Sequence, residues 1–551
     1  MVSTLVSYEA ERLTVGRLLE KRKEGEHKYN DTPRYPFPLL TFKNTDGKFS
    51  GMNNFMLAYP SVFLARIYHP VVNLSEKKTL GEIRNAIFKI IKSRLTELKV
   101  DSLGSPEGDI QKWDWYALLL LDKHEVDKGP VEWAKEGYDG TESNYESDDE
   151  KADSGPTGKK SHFEEIKRCL LEKNYMPNVG FLKKDQIDNL VNHLTDLCLG
   201  SPAICCMRTF QASYPSAAGD IKVFQSAYKV GTGFLSLFNK QESIAIINEF
   251  EEENAYHKNV IRYALHGNIQ AMLDEFVYQL RDSGSLANHE TCADFIRNIL
   301  TVNAANLEVK TTGTINKDKK PVSMRTHYAI PFGLGSNSDL KNGSRQIKVR
   351  EAFNSPFRPF VLTSTSIGQE GLDFHFYCSK LIHWNLPTNP IDLEQREGRI
   401  KRFKGLNIRR KIADRYKLLL TDVNSNENIW KQLFSLAEMH KPSDQCDLIP
   451  FWHIDGEAEH DIKTLIPIYQ YSKDFEKLRY IKTVLGNYRM TFGQPRQEEL
   501  IYILGEIEKT LENRKMLTEL SIDLCPMSYI NSDSVEHKEG SKIIDEFSLA
   551  T

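Results

Sequence analysis

Apolar positions recur at helical spacing along most of the chain. Over residues 80–98, Ile83, Ile87, Ile90 and Leu95 fall near one face, which predicts an amphipathic helix. Ile187, Leu190, Val191, Leu194, Leu197 and Cys198 repeat the period, and Gly200-Ser201-Pro202 ends it. Further helical periods cover residues 223–237 and 242–252, and Ile269, Met272, Leu273, Phe276, Val277 and Leu280 mark another after Gly267. Ser161 and Glu164 read as a capping box ahead of Ile166 and Leu170. The run Trp115 to Leu121, flanked by Asp114 and Asp122, reads as a buried element too short to span a membrane. Trp430, Leu433 and Leu436 predict a late helix, and Leu500, Ile503, Leu504, Ile507 and Leu511 predict the last one, after a turn at Gly493 to Gln497. Leu448 to Trp452 is apolar but broken by Pro450, so it reads as an extended packing segment.

Strand patterns are fewer. Residues 307–310 and 325–330 predict strands, and Phe360-Val361-Leu362 reads as a short strand of the buried kind. That strand leads into Thr363-Ser364-Thr365-Ser366, then Gly368 and Gly371, a spacing that lets backbone N–H groups close on a phosphate. Asp373 follows, and residues 380–386 predict a second strand. Asn389 then suits a helix N-cap and Pro390 the first helical position. On that helix Gln395, Arg399 and Arg402 are four and three apart, so they share one face. Gly398 beside that face leaves room for another backbone, and Lys401 points away. Strand, glycine loop, strand and basic helix in this order make a phosphate site far more specific than either GxxG or QxxGRxxR alone. Arginine carries a permanent charge on a planar fork that fits phosphate oxygens.

Composition narrows the partners. The 551 residues allow two to four domains and carry a net charge of −4, so nucleic-acid binding must come from a local patch. The densest patch is residues 396–415, with nine basic residues against Glu397 and Asp414, which fits salt-sensitive contact with polyphosphate or nucleic acid. Residues 139–153 hold seven acidic residues and one lysine, a solvated linker. The GPTGKKS stretch at 155–161 fails as a phosphate loop, because Asp153 stands where its first glycine belongs and Lys160 where a magnesium-binding hydroxyl belongs. Asp274-Glu275 lies on a helix face rather than at a strand end and is expected to be solvated. Eight cysteines without a CxxC pair read as reduced thiols in a cytoplasmic protein, and His453 with Asp455 reads as a surface pair rather than a metal site.

STSIGQEGLD (364–373) followed by QREGRIKR (395–402) resembles motifs V and VI of superfamily 2 helicases and translocases. The intervening HWNLPTNPIDLEQ is similar to the Swi/Snf-type group, and AFNSPFRPFVLTSTSIGQEGLDFH resembles large bacterial helicase-like proteins, some tied to defence against phage. The resemblance implies an α/β fold: a RecA-like parallel-sheet lobe over 256–425, with a large helical N-terminal region and a helical C-terminal appendage over 426–551. Ahead of the lobe it implies a mainly helical region over 1–135, an acidic linker over 136–160 and a helical insertion or brace over 161–255. Carried over, Ser364, Thr365 and Gly368 touch a nucleic-acid backbone, Gly371 and Asp373 couple that contact to the nucleotide, and Gln395 and Arg396 lie in the cleft. Arg399 and Arg402 are the arginine fingers. The implied cofactor is ATP, with Mg²⁺ held by a partner lobe, and the expected nucleic acid is double-stranded DNA.

A helicase motor needs a first lobe with a phosphate-loop lysine and an acidic magnesium motif, and the sequence contains neither. The leading expectation is therefore the C-terminal half of an ATP-dependent helicase or translocase, completed by a partner or upstream segment. A non-catalytic nucleic-acid-binding or regulatory subunit is the alternative, and an interaction scaffold with relic motifs is the third. Intact Thr365, Asp373, Arg399 and Arg402 favour the first over the third.

Overall fold

The computed structural model describes residues 40, 51–75, 78–136, 157–217, 221–248, 255–284, 286, 288–302, 305–309, 322–326, 347–357, 359–363, 374–420, 427–443, 445–456, 458–468, 472–491 and 495–507. These are mostly helical, with two small two-stranded sheets. They divide into two compact units, one drawn from 1–368 and 416–433, the other from 369–415 and 434–551.

The first unit begins with α1 (Met52–Met56), α2 (Val62–Arg66), α3 (Pro70–Ser75) and α4 (Leu80–Glu97). A true capping box starts α4: Glu82 N–H donates to Thr79 Oγ1, and Thr79 N–H donates to Glu82 Oε2. Its buried stripe is Ile87, Ile91 and Leu95, a strict four-residue step. Ile90, expected on that stripe, is instead exposed. Next come α5 (Trp113–Lys123), α6 (Gly129–Glu136), α7 (Thr157–Leu171), α8 (Lys184–Gly200) and α9 (Pro202–Ser213). Helix α5 is buried nearly all round, as its apolar run predicts. Helix α7 starts at Thr157, so Ser161 lies inside it and is not the N-cap.

The unit continues with α10 (Ile221–Phe238), α11 (Gln241–Asn248), α12 (Tyr256–His266), α13 (Ile269–Asp282) and α14 (His289–Leu300). Helix α10 is its spine, packed along both α14 and α9. At Gly231 a Cβ would lie 2.8 Å from Ala58 Cα, so only glycine permits this approach. Tyr59, Trp133, Phe163 and Phe224 form an edge-on aromatic cluster beneath α6 and α7, with Trp133 and Phe163 centroids 4.9 Å apart. After α14, β1 (Ala305–Val309) pairs antiparallel with β2 (Val322–Thr326), and both overlap the predicted strands, of which residues 310 and 327–330 lie outside the described residues.

Two buried carboxylates pin this unit. Asp122 of α5 accepts from Ser61 Oγ (2.8 Å), Phe63 N–H (3.0 Å) and Val62 N–H (3.3 Å), so it caps α2 from another helix. Asp274 of α13 accepts from Thr209 Oγ1 (2.6 Å) and Gln270 Nε2 (3.0 Å), and Gln270 in turn accepts from the buried guanidinium of Arg208. Asp274 and Glu275 are therefore interior, not solvated; the helical face they occupy is turned towards α9 rather than water. The Asn428 amide donates to Asp274 O and Ser213 Oγ, which ties residues 416–433 into the same unit.

The second unit holds β3 (Lys380–Ile382), α15 (Pro390–Gly398), α16 (Leu406–Tyr416), β4 (Lys463–Leu465), α18 (Asp474–Met490) and α19 (Gln497–Ile507); α17 (Ile429–Met439) precedes β4 in the chain. Strands β3 and β4 pair in parallel, Lys380 with Lys463 and Ile382 with Leu465. Leu386, Leu393 and Ile481 form a small core under α15 and α18, with Ile466, Leu478 and Leu485 against it. Residues 448–452 are a tight turn, closed by Trp452 N–H to Leu448 O, rather than extended chain. Among the described residues no helix is long and apolar enough to cross a membrane.

Burial pushes Asp122 up to about 7, against the hydrogen bonds that hold it down. Its folded pKa lies above the unfolded value of about 3.9, so the folded state takes up a proton as pH falls through 7 and gains stability there. In urea unfolding the stability difference between the wild type and Asp122→Asn is expected to widen by roughly 1 kcal/mol from pH 8 to pH 6.5, a comparison that cancels the other titrating groups. Asp122→Asn should already be weaker at pH 8, because its amide N–H₂ would face the backbone donors of Val62 and Phe63.

Candidate phosphate-facing site in the second unit

The site is built on residues 374–406. Phe374, directly after Asp373, donates its N–H to the carbonyl of Arg399 at 3.0 Å, and Leu406 N–H donates to His375 O at 3.1 Å. Two backbone bonds thus stitch Phe374 and His375 to the arginine turn and the start of α16. Asn389 Oδ1 accepts from Ile391 N–H and Pro390 takes the first helical position, as its sequence predicts. Leu393 anchors the inner face of α15 in the small core.

The helix stops at Gly398, one turn earlier than the expected shared face requires. Arg399 is its C-cap and Arg402 lies in the following turn, so Gln395, Arg399 and Arg402 are not on one continuous helix face. Among the described residues nothing lies within 4 Å of a Cβ built on Gly398, so none of their backbones approaches there. The physical reason is the turn itself: Ile400 and Lys401 N–H both bond to Glu397 O, and Lys404 adopts φ +50 before α16. The second predicted strand is correspondingly short, ending at Ile382, and Phe360 to Leu362 is irregular, with Val361 80% exposed.

Arg399 is half-buried, and no hydrogen bond, ion pair or ring contact engages its guanidinium among the described residues. Arg402 is half-buried with Nε bonded to Gly398 O at 2.9 Å. Arg396 Nη1 bonds to Asn385 O at 3.0 Å, and Gln395 is exposed. Lys401 is exposed and pairs with Glu397 Oε2 at 2.9 Å. Ser364, Thr365, Gly368, Gly371 and Asp373 lie outside the described residues.

The basic cluster divides in two. Lys404, Arg409, Arg410 and Lys411 are buried, four of the nine, and their charges serve the fold. Arg409 is completely enclosed, donating to Lys404 O (2.9 Å) and Phe376 O (2.5 Å) beside the Tyr377 ring. Lys404 Nζ sits 4.7 Å from the Phe434 centroid and 5.6 Å from that of Phe451, a cation–π cage. Lys411 pairs with Asp461 at 2.6 Å. A run of like charges does not reveal from sequence which members turn inward. His383, directly after β3, is buried with Nε2 4.0 Å from Glu397 Oε1; its sequence neighbours give no sign of this, since Glu397 comes from α15. His453 and Asp455 form the expected surface pair at 3.8 Å, and among the described residues no group of three or more His, Cys, Asp or Glu forms a metal site.

Arg409→Ala is expected to destabilise the second unit by about 2–4 kcal/mol in urea unfolding, since it orphans two buried carbonyls. The exposed Arg415→Ala should leave stability within about 0.5 kcal/mol.

Residues 335–404 match the helicase conserved C-terminal domain family. Comparison with curated proteins and with solved structures gave no match. The matched segment contains α15 and the turn carrying Arg399 and Arg402, and it supports a helicase-type C-terminal lobe for this part of the chain.

Proposed function

We propose that the chain is the C-terminal half of an ATP-dependent helicase or translocase, with a RecA-like lobe over residues 256–425. The observation that carries this reading is the backbone bond from Phe374, the residue after Asp373, to Arg399, a half-buried arginine whose guanidinium has no partner among the described residues. A permanently charged guanidinium in that position is suited to an anion brought from outside. The family match across both motifs supports the same reading.

In this reading Ser364, Thr365 and Gly368 hold a nucleic-acid backbone, which positions without reading sequence. Gly371 and Asp373 pass that contact through Phe374 to the arginine turn. Gln395 and Arg396 line the nucleotide cleft, and Arg399 and Arg402 face the phosphates. ATP supplies the phosphoryl group that leaves to water when it is bound, with Mg²⁺ and the phosphate loop contributed by a separate first lobe. The chain's own part is to present two fixed positive charges where negative charge develops. Double-stranded DNA is the proposed track, in a cytoplasmic protein of the kind tied to phage defence.

Nucleic-acid-stimulated ATP hydrolysis, measured with the chain alone and with a partner carrying a phosphate loop, tests the proposal. Activity is expected only for the pair. Arg399→Ala and Arg402→Ala should each lower turnover by about a thousandfold, with DNA affinity changed by less than about threefold. Loss of DNA binding with unchanged turnover would reverse the assigned roles.

A further inference from the structure

His383 follows β3 directly. Its N–H donates to Leu465 O at 2.9 Å, extending the parallel ladder by one bond, and its ring is buried to 1% side-chain exposure. Nε2 makes no hydrogen bond among the described residues and stands 4.0 Å from Glu397 Oε1. An enclosed, unpaired ring nitrogen costs about 1–3 kcal/mol, and a native fold that keeps one calls for an explanation.

Glu397 is the residue on which the arginine turn hangs. Its carbonyl accepts from both Ile400 N–H (3.0 Å) and Lys401 N–H (3.1 Å). Its Oε2 accepts from Lys401 Nζ at 2.9 Å, and its Oε1 faces His383. The neighbouring Arg396 is tied to Asn385 O, two residues past His383. The chain leaving β3 thus meets the last turn of α15 twice, by a hydrogen bond at Arg396 and by the wider His383–Glu397 approach. Closing the 4.0 Å gap to a hydrogen bond of about 2.7–3.2 Å would draw that carboxylate roughly an ångström towards β3. The backbone from 398 to 402 would move with it.

We infer that His383 is a positioning residue: through Glu397 it sets where the turn bearing Arg399 and Arg402 stands. This rests on the reading of those arginines as phosphate-facing. An ångström of misplacement at such a group is worth about a hundredfold in rate. The charged groups acting on His383 are Glu397 and Arg396, both from α15, while β4 presents to it the backbone carbonyl of Leu465. Burial holds the ring below its ordinary pKa, with Glu397 opposing and Arg396 reinforcing, which favours the neutral imidazole, able to donate to Glu397 once the gap closes. Acidification turns it into an imidazolium that competes with Lys401 for the same carboxylate.

The test uses the full chain with its partner lobe, and His383→Leu, His383→Gln and Glu397→Gln. Gln places an amide nitrogen close to the position of Nε2; Leu fills the space without a donor. His383→Leu should lower kcat about ten- to a hundredfold with KM for ATP within about twofold. His383→Gln should restore most of that loss and abolish the acid limb of the kcat profile below pH 6.5. Hydrogen exchange at amides 396–402, read on the chain alone, should quicken in His383→Leu and Glu397→Gln but not in His383→Gln. Equal kcat in all variants, or Gln no better than Leu, overturns the inference. If Arg402→Ala leaves turnover intact while exchange at 396–402 still follows His383, the motor reading fails and the positioning contact stands. If Arg402→Ala abolishes turnover and the His383 variants change neither kcat nor exchange, the positioning role alone fails.

Discussion

An arginine cannot shed its charge to become comfortable inside a protein. Arg399 keeps its charge half-buried, at a turn whose backbone is fixed by Phe374 N–H and whose approach is fixed by Leu393 in the small core. Several contacts of the second unit converge on that turn. The Asn389 cap starts α15 at a defined residue, and the Arg409 fork clamps the carbonyls of Phe376 and Lys404 on either side of the turn. Lys404 is in turn held over Phe434 and Phe451. Rigid supports of this kind are what a charge needs if it is to meet a developing charge without reorganising.

The buried and free arginines of this unit do opposite work with the same chemistry. Arg409 satisfies its donors with backbone carbonyls and an aromatic face, so its charge is spent internally. Arg399 has no such partners among the described residues. A chain of net charge −4 cannot attract a polyanion by bulk field, so the few basic groups left over from folding decide whether and where one binds.

What the sequence reveals follows from how local the cause is. The cap at Asn389 and Pro390 depends on adjacent residues only, and it stands as expected. The helices over 184–200 and 269–282 carry strong apolar periods, and they too appear within a few residues of expectation. The end of α15 was not readable, because Gly398 terminates the helix in favour of a turn held by Phe374 and Phe451, residues from elsewhere in the chain. The burial of Asp274 and Glu275 has the same origin: Thr209, Gln270 and Asn428 supply partners that no window around 274 contains. Val361 failed in the other direction, since three apolar residues in a row do not by themselves recruit a neighbouring strand.

The first unit shows why burial of polar groups is compatible with a rigid body. Asp122 and Arg208 are both enclosed, yet each is surrounded by groups of the opposite hydrogen-bonding sense: donors from Ser61, Val62 and Phe63 for the carboxylate, acceptors from Gln270, Leu64 and Cys198 for the guanidinium. A satisfied buried network strongly specifies its helices, because any sliding leaves a group unpaired at full desolvation cost. His383 is the contrast. Its nitrogen lacks such a partner and has a carboxylate one small movement away. Among the described residues, fully satisfied polar groups lock helices together, whereas the buried imidazole of His383 stands short of a carboxylate beside the turn that carries Arg399 and Arg402.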